Sequence, residues 1–163
     1  RFYQELIPSY ELYVVSKGAC PGRKSCYLDE LSPVFRHGDM RKNKNVVGRP
    51  LELGKRTYAR GLGVKPLSIL RYSLRGQGFR KLEGGVGLHN NGTRNPNSSL
   101  KVSVEVYLDD RLVWSSGKLT ASEDAKPFSI DVRGGSVLEL ISHDVDGEDW
   151  HDWVNWVDVR LDR

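Results

Sequence analysis

Apolar and polar positions alternate with period two along most of this chain, and helical periodicity is nearly absent. The clearest case is Leu100–Leu108, where Val102, Val104, Val106 and Leu108 share one face and Lys101, Ser103, Glu105 and Tyr107 the other. Such alternation marks a strand with one face in a core. Further strands are predicted at Tyr10–Val15, Leu67–Leu74, Phe79–Val86, Arg111–Ser115, Phe128–Val132, Val137–His143 and Trp153–Leu161. Asp109-Asp110 reads as a hairpin turn, and Gly84-Gly85 as a bulge or bend that breaks its strand. Arg36–Val47 and His89–Ser99 read as loops, and a short helix is expected from Ser25 through Tyr27–Leu31. In the final strand the register places Trp156 with Asp158 and Arg160, opposite Val157, Val159 and Leu161. Many short strands without intervening helices predict an all-β, antiparallel β-sandwich.

A length of 163 residues suits one core-forming domain. No apolar run spans a bilayer, and no signal peptide is visible. Charge is uneven. Residues 1–81 hold 17 Lys and Arg against 6 Asp and Glu, and residues 82–163 hold 8 against 15. In a compact domain the two halves interleave and neutralise one another on a mixed surface; a polyanion-binding face is the alternative.

The end of the chain carries the densest chemistry. Five carboxylates and three of the four tryptophans lie between Asp144 and Trp156. Acids beside indole rings suit a sugar, whose hydroxyls need hydrogen-bond partners and whose C–H faces need a flat apolar platform. Trp150 and Trp153 are candidate platforms, whereas Trp156 and Trp114 are expected to pack in the interior. His151 is the histidine best placed to meet a sugar hydroxyl, with Asp152 and Asn155 beside it. Asp144, Asp146 and Glu148 offer alternating hard oxygens to a structural calcium ion. The competing readings are a solvated acidic loop, or carboxylates paired with Arg36, Arg41 or Lys65. The basic loop from Arg36 to Asn45 reads as solvated or as a contact for phosphate or sulfate. It lacks the interleaved aromatics of a nucleic-acid surface, so a sulfated polysaccharide fits better than nucleic acid. Cys20 and Cys26 flank a Pro-Gly turn and are expected to form a short-loop disulfide, which implies an extracytoplasmic or secreted setting. Two glycosylation acceptors, Asn91-Gly-Thr and Asn97-Ser-Ser, share one polar loop.

Local motifs resemble the NPCBM family, carbohydrate-binding module family 51. Tyr27-Leu-Asp-Glu-Leu opens the similarity, followed by Gly48-Arg-Pro-Leu-Glu-Leu. Its most specific mark is Thr57-Tyr-Ala-Arg-Gly-Leu-Gly-Val, similar to the family's Tyr-Ala-Lys-Gly-Leu-Gly-Val-His. Gly85-Val-Gly-Leu, Val104-Glu-Val-Tyr-Leu-Asp-Asp, Leu112-Val-Trp-Ser-Ser-Gly, Asp144-Val-Asp-Gly and Asp152-Trp-Val-Asn-Trp-Val-Asp-Val-Arg-Leu continue it. The resemblance covers residues 27–161 and leaves residues 1–26 as an N-terminal extension, an edge strand or linker before a domain at 27–163. It implies a galactose-binding-like jelly roll that grips glycans, often terminal galactose, as part of a larger glycan-processing or surface protein. The chain departs from the family pattern at Lys65, at Leu88-His89, and at Trp153 and Asn155. The expected ligand-binding set is Trp150, His151, Asp152, Trp153, Asn155, Lys65, His89 and Asn90, with no required cofactor. Two other readings stay open. One is a structural or protein-interaction module on the same fold. The other is a glycoside hydrolase, which needs two carboxylates flanking the scissile bond; the acids of residues 144–152 crowd one side instead.

Overall fold

The computed structural model describes residues 20–89, 102–121, 123–144 and 153–163. Strands β1 (Ser25–Tyr27), β2 (Phe35–His37), β3 (Met40–Lys42), β4 (Leu51–Leu53), β5 (Arg56–Tyr58), β6 (Gly61–Val64) and β7 (Ser68–Ser73) form the first part of the chain. They are followed by β8 (Lys81–Leu88), β9 (Val102–Leu108), β10 (Arg111–Leu119), β11 (Lys126–Asp131), β12 (Val137–Asp144) and β13 (Val154–Asp162). Two antiparallel sheets face each other. Sheet A runs β11-β8-β13-β6-β3, with β1 also on β13; sheet B runs β10-β9-β12-β7-β2. The β4–β5 hairpin stands apart from both. The architecture is the galactose-binding-like β-sandwich expected from the sequence.

Side chains alternating from both sheets make the core. Val102, Val104 and Val106 of β9 meet Leu62, Leu82, Val86, Val154, Trp156 and Leu161 of sheet A, all essentially without solvent contact. Trp156 lies inside, its ring 5.9 Å from that of Phe128 and nearly perpendicular to it. Trp114 is half-buried, 5.2 Å from Phe128. A second, outer layer covers part of sheet A, where Leu51 and Leu53 of the hairpin pack on Val157.

Several local expectations are corrected. The irregularity expected at Gly84-Gly85 lies opposite them, as a bulge in β13. β8 pairs with β11 without a shift, while β13 slips between Val157 and Arg160 against the same strand. Asp158 takes φ +50° there, and its N–H donates to the Arg60 carbonyl. The slip turns Val159 and Leu161 to the core side with Trp156, and leaves Val157 outward under the hairpin. A strict period-two register cannot foresee an inserted residue. The 36–47 stretch holds edge strands β2 and β3, whose charged side chains hide the pattern that burial gives central strands. Strands β4, β5 and β6 were not anticipated; they are three or four residues long, and in β6 glycine breaks the alternation. In place of the helix from Ser25 stand β1 and a single 3-10 turn at Leu28–Glu30. The Glu30 carboxylate accepts the Tyr27 N–H and closes that turn. The Asp109-Asp110 turn has both residues at positive φ, the form a two-residue hairpin requires. The strand expected at Tyr10–Val15 and the acceptors at Asn91 and Asn97 lie outside the described residues.

Candidate functional site

Three neighbouring strands of sheet A end in one row. Val154 of β13 pairs with Val64 on one side and Leu88 on the other. The next position outward on each strand is therefore Trp153, Lys65 and His89. The His89 N–H donates to the Trp153 carbonyl at 2.7 Å, continuing the ladder one step beyond the strands. Since Val64, Leu88 and Val154 face the core, alternation places the row on the opposite, outer face. Asn155 shares that face, flanked by Gly63 and Gly87 as its pairing partners.

Those two glycines explain what covers the row. A Cβ on Gly63 would overlap the Lys44 carbonyl and sit 2.5 Å from the Asn45 Cα, so the 43–49 loop rests directly on bare backbone. A Cβ on Gly87 would press on Leu53 of the hairpin at 3.0 Å. Loop and hairpin thus close over Asn155 and His89 from two sides, leaving Asn155 fully buried and His89 4% exposed. Asn45, also fully buried, ties the loop down. Its Oδ1 accepts the N–H groups of Val47 and Arg49, and its Nδ2 lies 3.1 Å from His89 Nε2.

The His89 ring is ringed by donors. Asn155 Nδ2 lies 2.7 Å from Nδ1, and the Glu52 N–H points at the same nitrogen from 3.4 Å. Asn155 Nδ2 also donates to the Glu52 carbonyl at 3.1 Å, which fixes the orientation of its amide. A neutral imidazole has one acceptor nitrogen, yet N–H groups approach both. Protonation would remove even that one. Burial lowers the ring's pKa; the Glu52 carboxylate opposes that shift and the Arg49 charge adds to it. The histidine is held neutral. Asn155 Oδ1 is buried without a hydrogen-bond partner, a costly omission that marks the cluster as polar and incompletely satisfied.

Trp153 lies at the rim of this cluster, half-exposed, its ring 5.9 Å from the His89 ring and tilted by 49°. Lys65 is half-buried beside it. Of the residues proposed from sequence, Lys65, His89, Trp153 and Asn155 are brought together. Trp150, His151, Asp152 and Asn90 lie outside the described residues. Asp144 ends β12, whereas Asp146 and Glu148 are likewise outside. Cys20 and Cys26 form a disulfide. Together with Glu30 they are the grouped donors of metal-binding type among the described residues, but the two sulfurs are spent on each other. Arg23 holds the Glu30 carboxyl down to about 2, helped by the Tyr27 N–H. Sequence reasoning missed Asn45 and Glu52. The available signal was glycine recurring within strand patterns at 61, 63, 85 and 87, which marks close backbone approach.

This geometry has relatives. CBM51 from Clostridium perfringens GH95, solved in complex with methyl-galactose, superposes with a TM-score of 0.76 at 27% identity, covering 84% of this chain and 99% of that one. The CBM51-1 and CBM51-2 modules of Clostridium perfringens ZmpB, solved with its M60 catalytic domain, give 0.77 at 25% identity over 85% of this chain and 15% of that one. The tandem CBM51 modules of Streptococcus pneumoniae Sp3GH98 give 0.73 at 21% identity, covering 85% and 47%, and support the fold alone. No curated protein matches the chain. The NPCBM/NEW2 domain profile matches residues 24–162, from the first strand to the last. The chain belongs to the NPCBM/NEW2 domain family.

Proposed function

We propose that this domain is a non-catalytic carbohydrate-binding module, carried outside the cytoplasm on a larger polypeptide, that holds a terminal sugar against Trp153. One observation carries the reading. A half-exposed indole stands over a buried amide–imidazole cluster, at the edge of a sheet whose fold is that of a module solved with methyl-galactose. Such a ring covers the C–H face of a sugar, while neighbouring polar groups meet its hydroxyls. His89, 4% exposed, shapes the floor and holds Trp153 in place. Lys65 and the adjoining Asn90, His151, Asp152 and Trp150 supply the outer contacts. A shallow site of this kind binds one sugar weakly, because little surface is removed from water.

The test is a screen of the purified chain on a glycan array, followed by calorimetry with methyl-galactose. Binding that Trp153→Ala reduces about fivefold or more supports the reading, since one well-placed aromatic contact contributes on the order of 1 kcal/mol. The second reading, a structural or interaction module, is favoured by the depth of His89 and Asn155. Silence of the folded protein across the array would establish it.

A further inference from the structure

The two sheets share one edge, and that edge is basic. β2 is the outermost strand of sheet B on this side and β3 that of sheet A, joined by the Gly38-Asp39 turn. Gly38 makes the turn at φ +85°, with no room for a Cβ beside the Leu67 carbonyl. From Arg36 to Arg49 the chain carries Arg36, Arg41, Lys42, Lys44 and Arg49 against a single carboxylate, Asp39. All five cations are exposed. None forms an ion pair among the described residues, whereas Arg23, Arg60, Arg133 and Arg160 each have a carboxylate partner. Arg41 is steadied by a bond from its Nε to the Val46 carbonyl at 2.8 Å, with the residue still exposed.

This edge is joined to the candidate sugar site by Asn45. Its side chain touches His89 on one side and accepts the Arg49 N–H on the other, and its own N–H donates to the Arg49 carbonyl at 2.8 Å. The Lys44 carbonyl lies on Gly63, the pairing partner of Asn155. The backbone that presents Lys44 and Arg49 is therefore fixed relative to the row of Lys65, Trp153 and His89. Uncompensated like charges held close together repel, and an anionic ligand relieves that repulsion.

We propose that this edge recognises sulfate groups of a glycan whose sugar ring occupies the Trp153 site, with Lys42, Lys44 and Arg49 as the contacts. The inference rests on the reading of that site as carbohydrate-binding. Arginine and lysine donate charge-assisted hydrogen bonds to sulfate oxygens, and sulfate esters stay charged at every physiological pH. The surroundings point away from other polyanions. Nucleic acid would need several aromatic rings in series, and the described residues offer one indole at this place. A membrane surface would need an apolar wedge, and the exposed large apolar side chain here is Val47 alone.

The experiment titrates the chain with carrageenan oligosaccharides and with the same oligosaccharides after desulfation, at several sodium chloride concentrations. The sulfated form is expected to bind about tenfold tighter at low salt, with an affinity that falls as salt rises. Lys42→Gln, Lys44→Gln and Arg49→Gln, at exposed positions, are each expected to flatten that salt dependence while the circular dichroism spectrum stays unchanged. Equal affinity for the two forms would overturn the inference and leave the sugar-binding reading intact. Failure to bind either form, together with silence on a neutral-glycan array, would overturn both. Equal affinity for a DNA oligonucleotide or for phosphatidylserine vesicles would show a general polyanion surface and overturn the sulfate assignment.

Discussion

His89 shows how one side chain can set a condition on the whole domain. Its neutral form is built into the fold, because burial depresses its pKa below the ordinary 6.5. As pH falls, the unfolded chain takes up the proton first. Stability is therefore complete above about pH 6.5 and declines as the pH drops below it. Urea denaturation of the wild type between about pH 5 and 7 should show that slope, and His89→Gln should flatten it whatever its own cost. Gly63 sets a steric condition at the same place. Gly63→Ala drives a methyl group into the backbone at Lys44-Asn45. It should cost about 1–3 kcal/mol in denaturant unfolding, as overpacking usually does, and weaken glycan binding as the loop is displaced. At this scale the sequence was partly legible. Lys65, His89, Trp153 and Asn155 stand out as departures in a recognisable motif, and their convergence follows from strand pairing. Asn45 and Glu52 were not legible, since neither has a local pattern and both act only after the loop and hairpin fold over sheet A.

β13 is the element on which the rest depends. It pairs with β8 along its whole length, with β6 over Val154–Val157 and with β1 over Arg160–Asp162. The bulge at Asp158 lies where one neighbour gives way to the other, so the extra residue lets the strand change partners without losing its ladder to β8. Its positive φ disfavours a side chain with a Cβ. Asp158→Gly should hold stability within about 1 kcal/mol of the wild type or raise it, measured as the midpoint of urea unfolding. Trp156→Ala, on the same strand, should cost about 3–5 kcal/mol, because it empties the largest buried side chain of the core. Central strands were readable from sequence: β7, β9 and β12 show apolar patterns that burial on both or alternate faces demands. The edge strands β2 and β3 were not, because both are three residues long and mostly face solvent with charged side chains, whereas the longer edge strands β10 and β11 were.

On the scale of the molecule, the disulfide and the proposed sugar site occupy opposite ends of sheet A. Asn155 and Asp162 are separated along β13 by about 23 Å, at the usual rise per residue. Beside Asp162 sit Ser25, whose hydroxyl bonds its carboxylate at 2.7 Å, and Lys24, whose carbonyl accepts the Arg163 N–H. Reduction of Cys20–Cys26 should lower stability by about 2 kcal/mol, as expected for so short a closed loop, yet leave glycan affinity unchanged. Thermal melting with and without dithiothreitol, paired with the array, separates the two effects. Lys24 and Arg163 thus lie side by side, far from Trp153. That placement has a mechanical meaning. If Trp153 holds an anchored glycan as proposed, tension between Trp153 and Asp162 runs lengthwise along β13. Interstrand bonds lie across the strands, so such tension shears the bonds to β8, β6 and β1 together. A pull between Lys24 and Arg163 instead peels β1 from β13 one bond at a time. Tension along β13 thus meets the sandwich in its strong direction, and a pull between Lys24 and Arg163 meets it in its weak one.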